Sequence, residues 1–150
     1  MRHALSVLEG TWCVISSSLP IWLKGDKTQP SCTYTHIKIR GEDVLLDETM
    51  YYKKGRCHTI TGIDYPRRNK TFGFVWRHRF LPFIKSNWEI VFMNEQEQWA
   101  VIYFGPSLFA PAGVDIISKG NMSVDLLRRI KQQMQEHPLV KDFADRIHDI

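Results

Sequence analysis

No stretch of this chain is apolar for long enough to cross a bilayer as a helix, which excludes a helical membrane span. Glycine-rich phosphate loops are missing as well. Gly41, Gly55 and Gly62 stand singly in turns or strands, so neither a P-loop nor a dinucleotide fingerprint is present. Cysteine is scarce: Cys13, Cys32 and Cys57 cannot all pair within the chain, and no C-x-x-C or H-x-H spacing marks a metal site. The opening Met1-Arg2-His3-Ala4 lacks the apolar core of a secretory signal. The expectation is therefore a cytoplasmic protein with reduced thiols. If a signal has been removed, the setting is secreted, and Cys13 and Cys32, on neighbouring runs, become candidates for a bridge. Excess charge is also small, at +4 over 150 residues. The cations are scattered among strand-like runs, and Arg67-Arg68-Asn69-Lys70 reads as a solvated loop, so no nucleic-acid partner is expected. Internal repeats and low-complexity segments are lacking, and one domain over 1–150 is the reading.

What the chain does have is a succession of short runs rich in β-branched and aromatic residues, separated by turn signals. They fall at residues 12–17, 32–39, 44–52, 57–64, 71–80, 88–93, 99–104 and 114–118. The first is headed by Gly10-Thr11-Trp12, where a glycine frees the backbone to turn and a tryptophan offers a large surface to bury. The fifth alternates most cleanly, with Phe72, Phe74 and Trp76 on one face. Residues 20–31 form a long connection without a clear period, read as a lid or mouth segment, on which Trp22 either caps a cavity or packs back on the wall. Short connections with no intervening helix exclude a parallel βαβ design and fit an antiparallel meander closed on itself. Residues 4–9 read as a short helical turn.

The one amphipathic helix comes late. Ser123 can cap it, Asp125 stands in its first turn, and Leu126, Leu127, Ile130 and Met134 form one apolar stripe. His137-Pro138 stops it. The tail carries Val140, Phe143 and Ile147 at helical spacing, and also fits a short strand docking beside the first; both readings stay open. The fold class is thus all-β: an eight-stranded antiparallel up-and-down β-barrel with one C-terminal α-helix packed outside.

This order of elements resembles the lipocalins over roughly residues 5–145. The matching words are Cys32-Thr33-Tyr34-Thr35, Leu46-Asp47-Glu48-Thr49, Phe80-Leu81-Pro82, Trp99-Ala100-Val101-Ile102 and Asp115-Ile116-Ile117-Ser118-Lys119, and the pattern is nearest to the bacterial lipocalin and the plant temperature-induced lipocalin. Two departures stand out. Lys119 occupies the place of the usual arginine over the G-x-W tryptophan, and Asn94-Glu95-Gln96-Glu97 replaces the usual T-D-Y turn. The resemblance implies a closed end built on Gly10, Trp12 and Lys119, and a cup lined by one face of each strand.

By that resemblance and by alternation, Cys32, Tyr34, His58, Ile60, Phe72, Phe74, Trp76, Trp88, Ile90, Phe92, Ala100, Ile102 and Phe104 line the cup. On the third run both Val44/Leu46 and Leu45/Asp47 remain open as inward sets. No carboxylate pair fit for acid–base work is expected inside. An apolar, aromatic lining suits a small hydrophobic ligand, whether fatty acid, retinoid-like or tetrapyrrole-like, that is bound and carried without being transformed. The alternative is an isomerase or cyclase on the same barrel acting through Cys32, whose position resembles the nucleophile of the lipocalin-type prostaglandin D synthase. A thiolate needs a neighbour that lowers its pKa. His58 and His78 read as lone polar histidines, and no metal or cofactor is expected. Peripheral contact with a membrane is compatible with the sequence, and oligomeric state is not read from it.

Overall fold

The computed structural model describes residues 2–150, with side chains from Leu5 onward; Met1, where the reading of the chain's opening begins, lies outside the described residues. A helix α1 (Arg2–Leu8) leads into β1 (Gly10–Ser17), followed by a helical turn α2 (Pro20–Leu23). Then come β2 (Thr28–Ile39), β3 (Glu42–Lys53), β4 (Arg56–Pro66), β5 (Gly73–His78), β6 (Lys85–Asn94), β7 (Trp99–Phe104) and β8 (Gly113–Ser118). Each pairs antiparallel with the next, and β1 pairs with both β8 and β2, so the sheet closes into an eight-stranded barrel. Two hairpins turn on Arg40-Gly41 and Lys54-Gly55, all four residues at positive φ, the geometry that matches the twist of the flanking strands.

Outside the barrel lies α3 (Val124–Met134), whose N-cap Ser123 accepts from the Leu126 amide. A 3-10 turn (Lys141–Phe143) and a two-residue strand β9 (His148–Asp149) follow, and β9 pairs with β1 at Ser16 and Ser17. The tail thus combines a helical turn with a docking strand, covering the part of β1 that has left β2. Trp99, Val101, Val114 and Ile116 are buried under Ile130 and Met134 of α3 and under Val140 and Ile147 of the tail. A second apolar cluster fills the lower barrel, from Leu5 and Leu8 of α1 to Trp12, Leu45, Phe74, Ala100, Ile102 and Ile117.

The closed end rests on Trp12. Its indole Nε1 donates to the Leu8 carbonyl at 2.8 Å, and Lys119 Nζ lies over its ring, 5.0 Å from the centroid. Gly10 sits at φ +115°, a conformation side chains rarely adopt, and a Cβ there would stand 3.3 Å from Lys119 Cε. Glycine at this point therefore lets the lysine lie down across the tryptophan.

Candidate functional site

Register fixes which side chains enter the barrel. Leu45 belongs to the inner cluster, so β3 turns Leu45, Asp47, Thr49 and Tyr51 inward. Their partners Asp64, Gly62, Ile60 and His58 on β4 share that face. The open choice on the third run is thereby settled for Leu45/Asp47. Phe74, Trp76 and His78 follow on β5, and Ser86, Trp88 and Ile90 on β6.

Several placements, those of His58 and Phe72 among them, correct the sequence reading. The first is Phe92. The β6–β7 register slips between Ile90 and Phe92, a bulge that puts Phe92 opposite Val101 and Met93 opposite Ala100. Met93 thus takes the inward place, while Phe92 packs in the outer core edge-on to His137, with ring centroids 5.2 Å apart. The second concerns acids. The cup was expected to lack paired carboxylates, yet Asp47, Asp64 and Asp115 are all buried inside it. Other expected lining residues take varied places. Cys32, Tyr34, Ile60, Trp76, Trp88 and Phe104 surround an internal cavity, and Ile90, Ala100 and Ile102 pack in the inner cluster around them. Phe72 precedes β5 and is half-buried outside that cluster. His58 is exposed at the rim, stacked on Tyr51 at 5.3 Å.

The cavity measures about 210 Å³ and opens beneath α2. Trp22 closes it from above: buried, edge-on to Tyr51 at 5.9 Å, its indole N–H donating to Asp115. Of the two readings for Trp22, the structure realises the cap. Leu19, Ile21 and Phe104 complete the mouth, and Tyr34, Trp76 and Trp88 the walls. Tyr34 stacks on Trp88 at 5.8 Å and Phe74 on Trp88 at 4.6 Å, which makes the floor rigid. Trp76 lies flat on Gly62, where a Cβ would come 2.0 Å from the indole nitrogen, so this glycine gives the ring its bed. A larger groove of about 1150 Å³ runs outside the wall, where β1 and β2 part; it is lined by Cys13, Ile15 and Ser31 and is open to solvent.

Polar groups thread this apolar setting. Thr49 Oγ1 donates to Asp47 Oδ1 at 3.4 Å, which leaves the Cys32 thiol to donate to Thr49 Oγ1 at 3.6 Å. Trp88 Nε1 donates to Asp64 Oδ1 at 2.9 Å, whereas Asp64 Oδ2 is buried without a hydrogen-bond partner among the described residues. Asp115 accepts from Ser17, whose hydroxyl oxygen in turn accepts the Leu19 amide and anchors the start of α2. No lysine, arginine or histidine is among the cavity's lining residues.

Electrostatics follow from that imbalance. Burial pushes Asp115 up to about 7, opposed by its bonds from Ser17 and Trp22. Burial also raises Asp47 and Asp64. The charge of Asp47 raises Asp64 further, so the pair favours holding one proton. Cys32 is raised as well, first by burial and then by the Asp47 charge. A thiol in this setting stays protonated and is a poor nucleophile. Cys13 and Cys57 are exposed, and all three cysteines are unbridged. Trp12 is paired with Cys32 across β1 and β2, so Cys13 faces out while Cys32 faces in, and the conditional Cys13–Cys32 bridge has no geometry to form. Among the described residues, no three His, Cys, Asp or Glu side chains are grouped to hold a metal ion.

Sequence comparison finds no matching protein family and no matching curated protein. Comparison of folds is informative. The siderocalin Ex-FABP, described as having dual ligand specificities, superposes with a TM-score of 0.67 at 12% identity, over 94% of this chain and 91% of that one. The bovine lipocalin allergen Bos d 2 gives 0.64 at 15% identity, over 97% and 93%. Apocrustacyanin C2 gives 0.69 at 11% identity, over 99% and 77%.

Proposed function

We propose that this chain, whose fold is that of the lipocalins, binds a small and mostly apolar molecule in the cup of its barrel and holds it without chemical change. The observation that carries this reading is the cavity under Trp22, with three aromatic walls and a few buried polar groups, the usual make-up of a small-molecule site. Its volume of about 210 Å³ is below the ~300–1,000 Å³ common for ligand pockets. A compact ligand fits the closed cup, whereas a long acyl chain or a tetrapyrrole requires Trp22 and α2 to swing away. Asp47 and Asp115 on the lining also disfavour a fatty acid entering head first, because its carboxylate would meet like charge.

Carriage is favoured over turnover by the state of Cys32. Its proton is held by burial and by the nearby Asp47 charge, opposed only by the Thr49 hydroxyl, and no cation stands on the cavity wall to release it. Native mass spectrometry of protein purified from its own host tests the reading. A retained small molecule, lost on Trp76→Arg, supports it. Protein that emerges empty and takes up no member of an apolar fragment library contradicts it.

A further inference from the structure

The protein gives the carboxylates of the cavity neutral hydrogen-bond donors but no positive charge. Asp47 and Asp115 line it from β3 and β8, and Asp64 stands behind Asp47 on β4. Facing these groups are Cys32 and Tyr34 of β2, Trp76 of β5 and Trp88 of β6, none of them cationic at neutral pH. Asp64 Oδ2 is fully buried on the inward face with no donor among the described residues, and its carboxyl neighbours that of Asp47. Two carboxylates side by side need a proton or an external donor between them. The rings of Tyr34, Trp76 and Trp88 border the cavity, and a cation is attracted to any part of a ring face left open to it.

From this juxtaposition we infer that the cup selects a small organic cation, a primary amine on a compact apolar body, seated between Asp47 and Asp115 with its body against the indole rings. The inference rests on the cup-binding reading above and adds the charge of the ligand. Entry of the ammonium group takes the place of one proton held among Asp47, Asp64 and Asp115, so binding releases a proton and weakens in acid. The proton goes to solvent and no covalent bond changes.

The test compares three probes of similar size by calorimetry on the wild-type protein near neutral pH: 2-phenylethylamine, 2-phenylethanol and phenylacetate. The amine is expected to bind at least ~10-fold tighter than the alcohol, an ordinary return for a buried charge-assisted hydrogen bond, and phenylacetate not measurably. The amine's advantage should shrink on acidification to about pH 5 while alcohol binding stays flat. Asp47→Asn and Asp115→Asn should each remove most of the preference and spare the alcohol. Equal binding of amine and alcohol, with both blocked by Trp76→Arg, overturns the cation assignment and leaves the cup reading standing. Failure of all three probes, with no fragment displacing any other, removes both.

A separate observation concerns the rim. Among the described residues ten large apolar side chains are exposed, and eight of them sit on or beside the four connections at the open end: Ile21, Leu23, Tyr52, Phe80, Leu81, Phe83, Leu108 and Phe109. Phe83 and the 106–109 segment line one groove, so two of these loops are neighbours. The same four connections and their flanks carry eight lysines and arginines, from Lys24 to Lys85, against Asp26, which pairs with Lys27 and Lys53, and Asp149 of β9 beside the first connection. The whole chain is only +4, so positive charge is concentrated at this end. An apolar crown ringed by cations matches an anionic lipid surface, where ring tips enter the acyl boundary and the cations meet head-group phosphates.

We propose that the open end docks on anionic bilayers, placing the mouth of the cup against the lipid. Co-sedimentation with phosphatidylglycerol-containing vesicles should exceed that with pure phosphatidylcholine and fall with salt. Phe80→Ser combined with Phe83→Ser and Leu108→Ser should abolish it without changing the thermal midpoint, since these side chains are exposed. Equal binding to both vesicle types, or no vesicle binding while the crown drives concentration-dependent dimerisation, overturns the proposal.

Discussion

Asp115 offers the sharpest quantitative test of the buried-acid reading. Its folded-state pKa rises from 3.8 to about 7, chiefly because burial penalises the charge. In the unfolded chain it ionises near ~3.9. Between those two values the native state binds more protons than the unfolded state, so stability falls as pH rises through this window, the reverse of an ion-paired carboxylate. At about 1.36 kcal/mol per pH unit, the span from ~3.9 to about 7 amounts to ~4 kcal/mol lost by the upper end of the window. Asp47 and Asp64 act in the same direction. Asp26 and Asp149, whose pKa values are lowered, act below ~pH 4 and leave the window clear. With a urea dependence of ~2 kcal/mol per molar, the midpoint should drop by roughly 2 M between about pH 4.5 and pH 8. Asp115→Asn keeps an acceptor for Ser17 and removes this group's titration, so its midpoint should vary less with pH, the remaining slope coming from Asp47 and Asp64. Urea melts followed by tryptophan fluorescence across this range decide the matter. A wild-type midpoint that is flat or rises with pH, or a variant with an undiminished slope, refutes the reasoning.

Trp12→Ala should cost about 3–5 kcal/mol in a urea melt, because it empties the base of the barrel, whereas Lys119→Met, which keeps the stem over the ring, should cost under ~1 kcal/mol. Iodoacetamide labelling read by mass spectrometry should modify Cys13 and Cys57 quickly and Cys32 slowly, the gap persisting to about pH 9 because burial holds the Cys32 proton. Phe92→Ala should lower the thermal midpoint and leave ligand affinity unchanged, since the bulge turns that ring under α3, while Phe104→Ala should weaken ligand binding with a smaller loss of stability.

Much of the barrel was legible because alternation is a strong signal wherever one face is buried. Phe74 and Trp76, Ala100 and Ile102, and the capped helix with its Ile130 and Met134 stripe are read directly from period. The bulge at Val91 leaves no mark in a run of uniformly apolar residues: Ile90, Val91, Phe92 and Met93 satisfy either phase, and only pairing with β7 decides between them. The acids escaped for a different reason. Asp64 continues the phase set by Ile60 and Gly62, and Asp47 follows from Leu45, but a carboxylate is normally read as a surface residue. β8 is buried on both faces, so Asp115 could not be assigned to the solvent side; this was the available clue. The pairing of Trp22 with Asp115 joins residues far apart in sequence and has no local signature.

The five tryptophans provide a built-in map for the central claim. Trp22, Trp76 and Trp88 surround the cavity, while Trp12 plugs the closed end and Trp99 packs in the outer core. In a ¹⁵N-labelled sample the indole N–H groups report separately, and Trp22, Trp76 and Trp88 can be assigned by substitution. Addition of 2-phenylethylamine should shift those three signals on one binding curve and leave Trp12 and Trp99 in place. Shifts confined to Trp12 or Trp99, or no shift in any of the five at a saturating concentration, would contradict the assignment of the cup as the binding site.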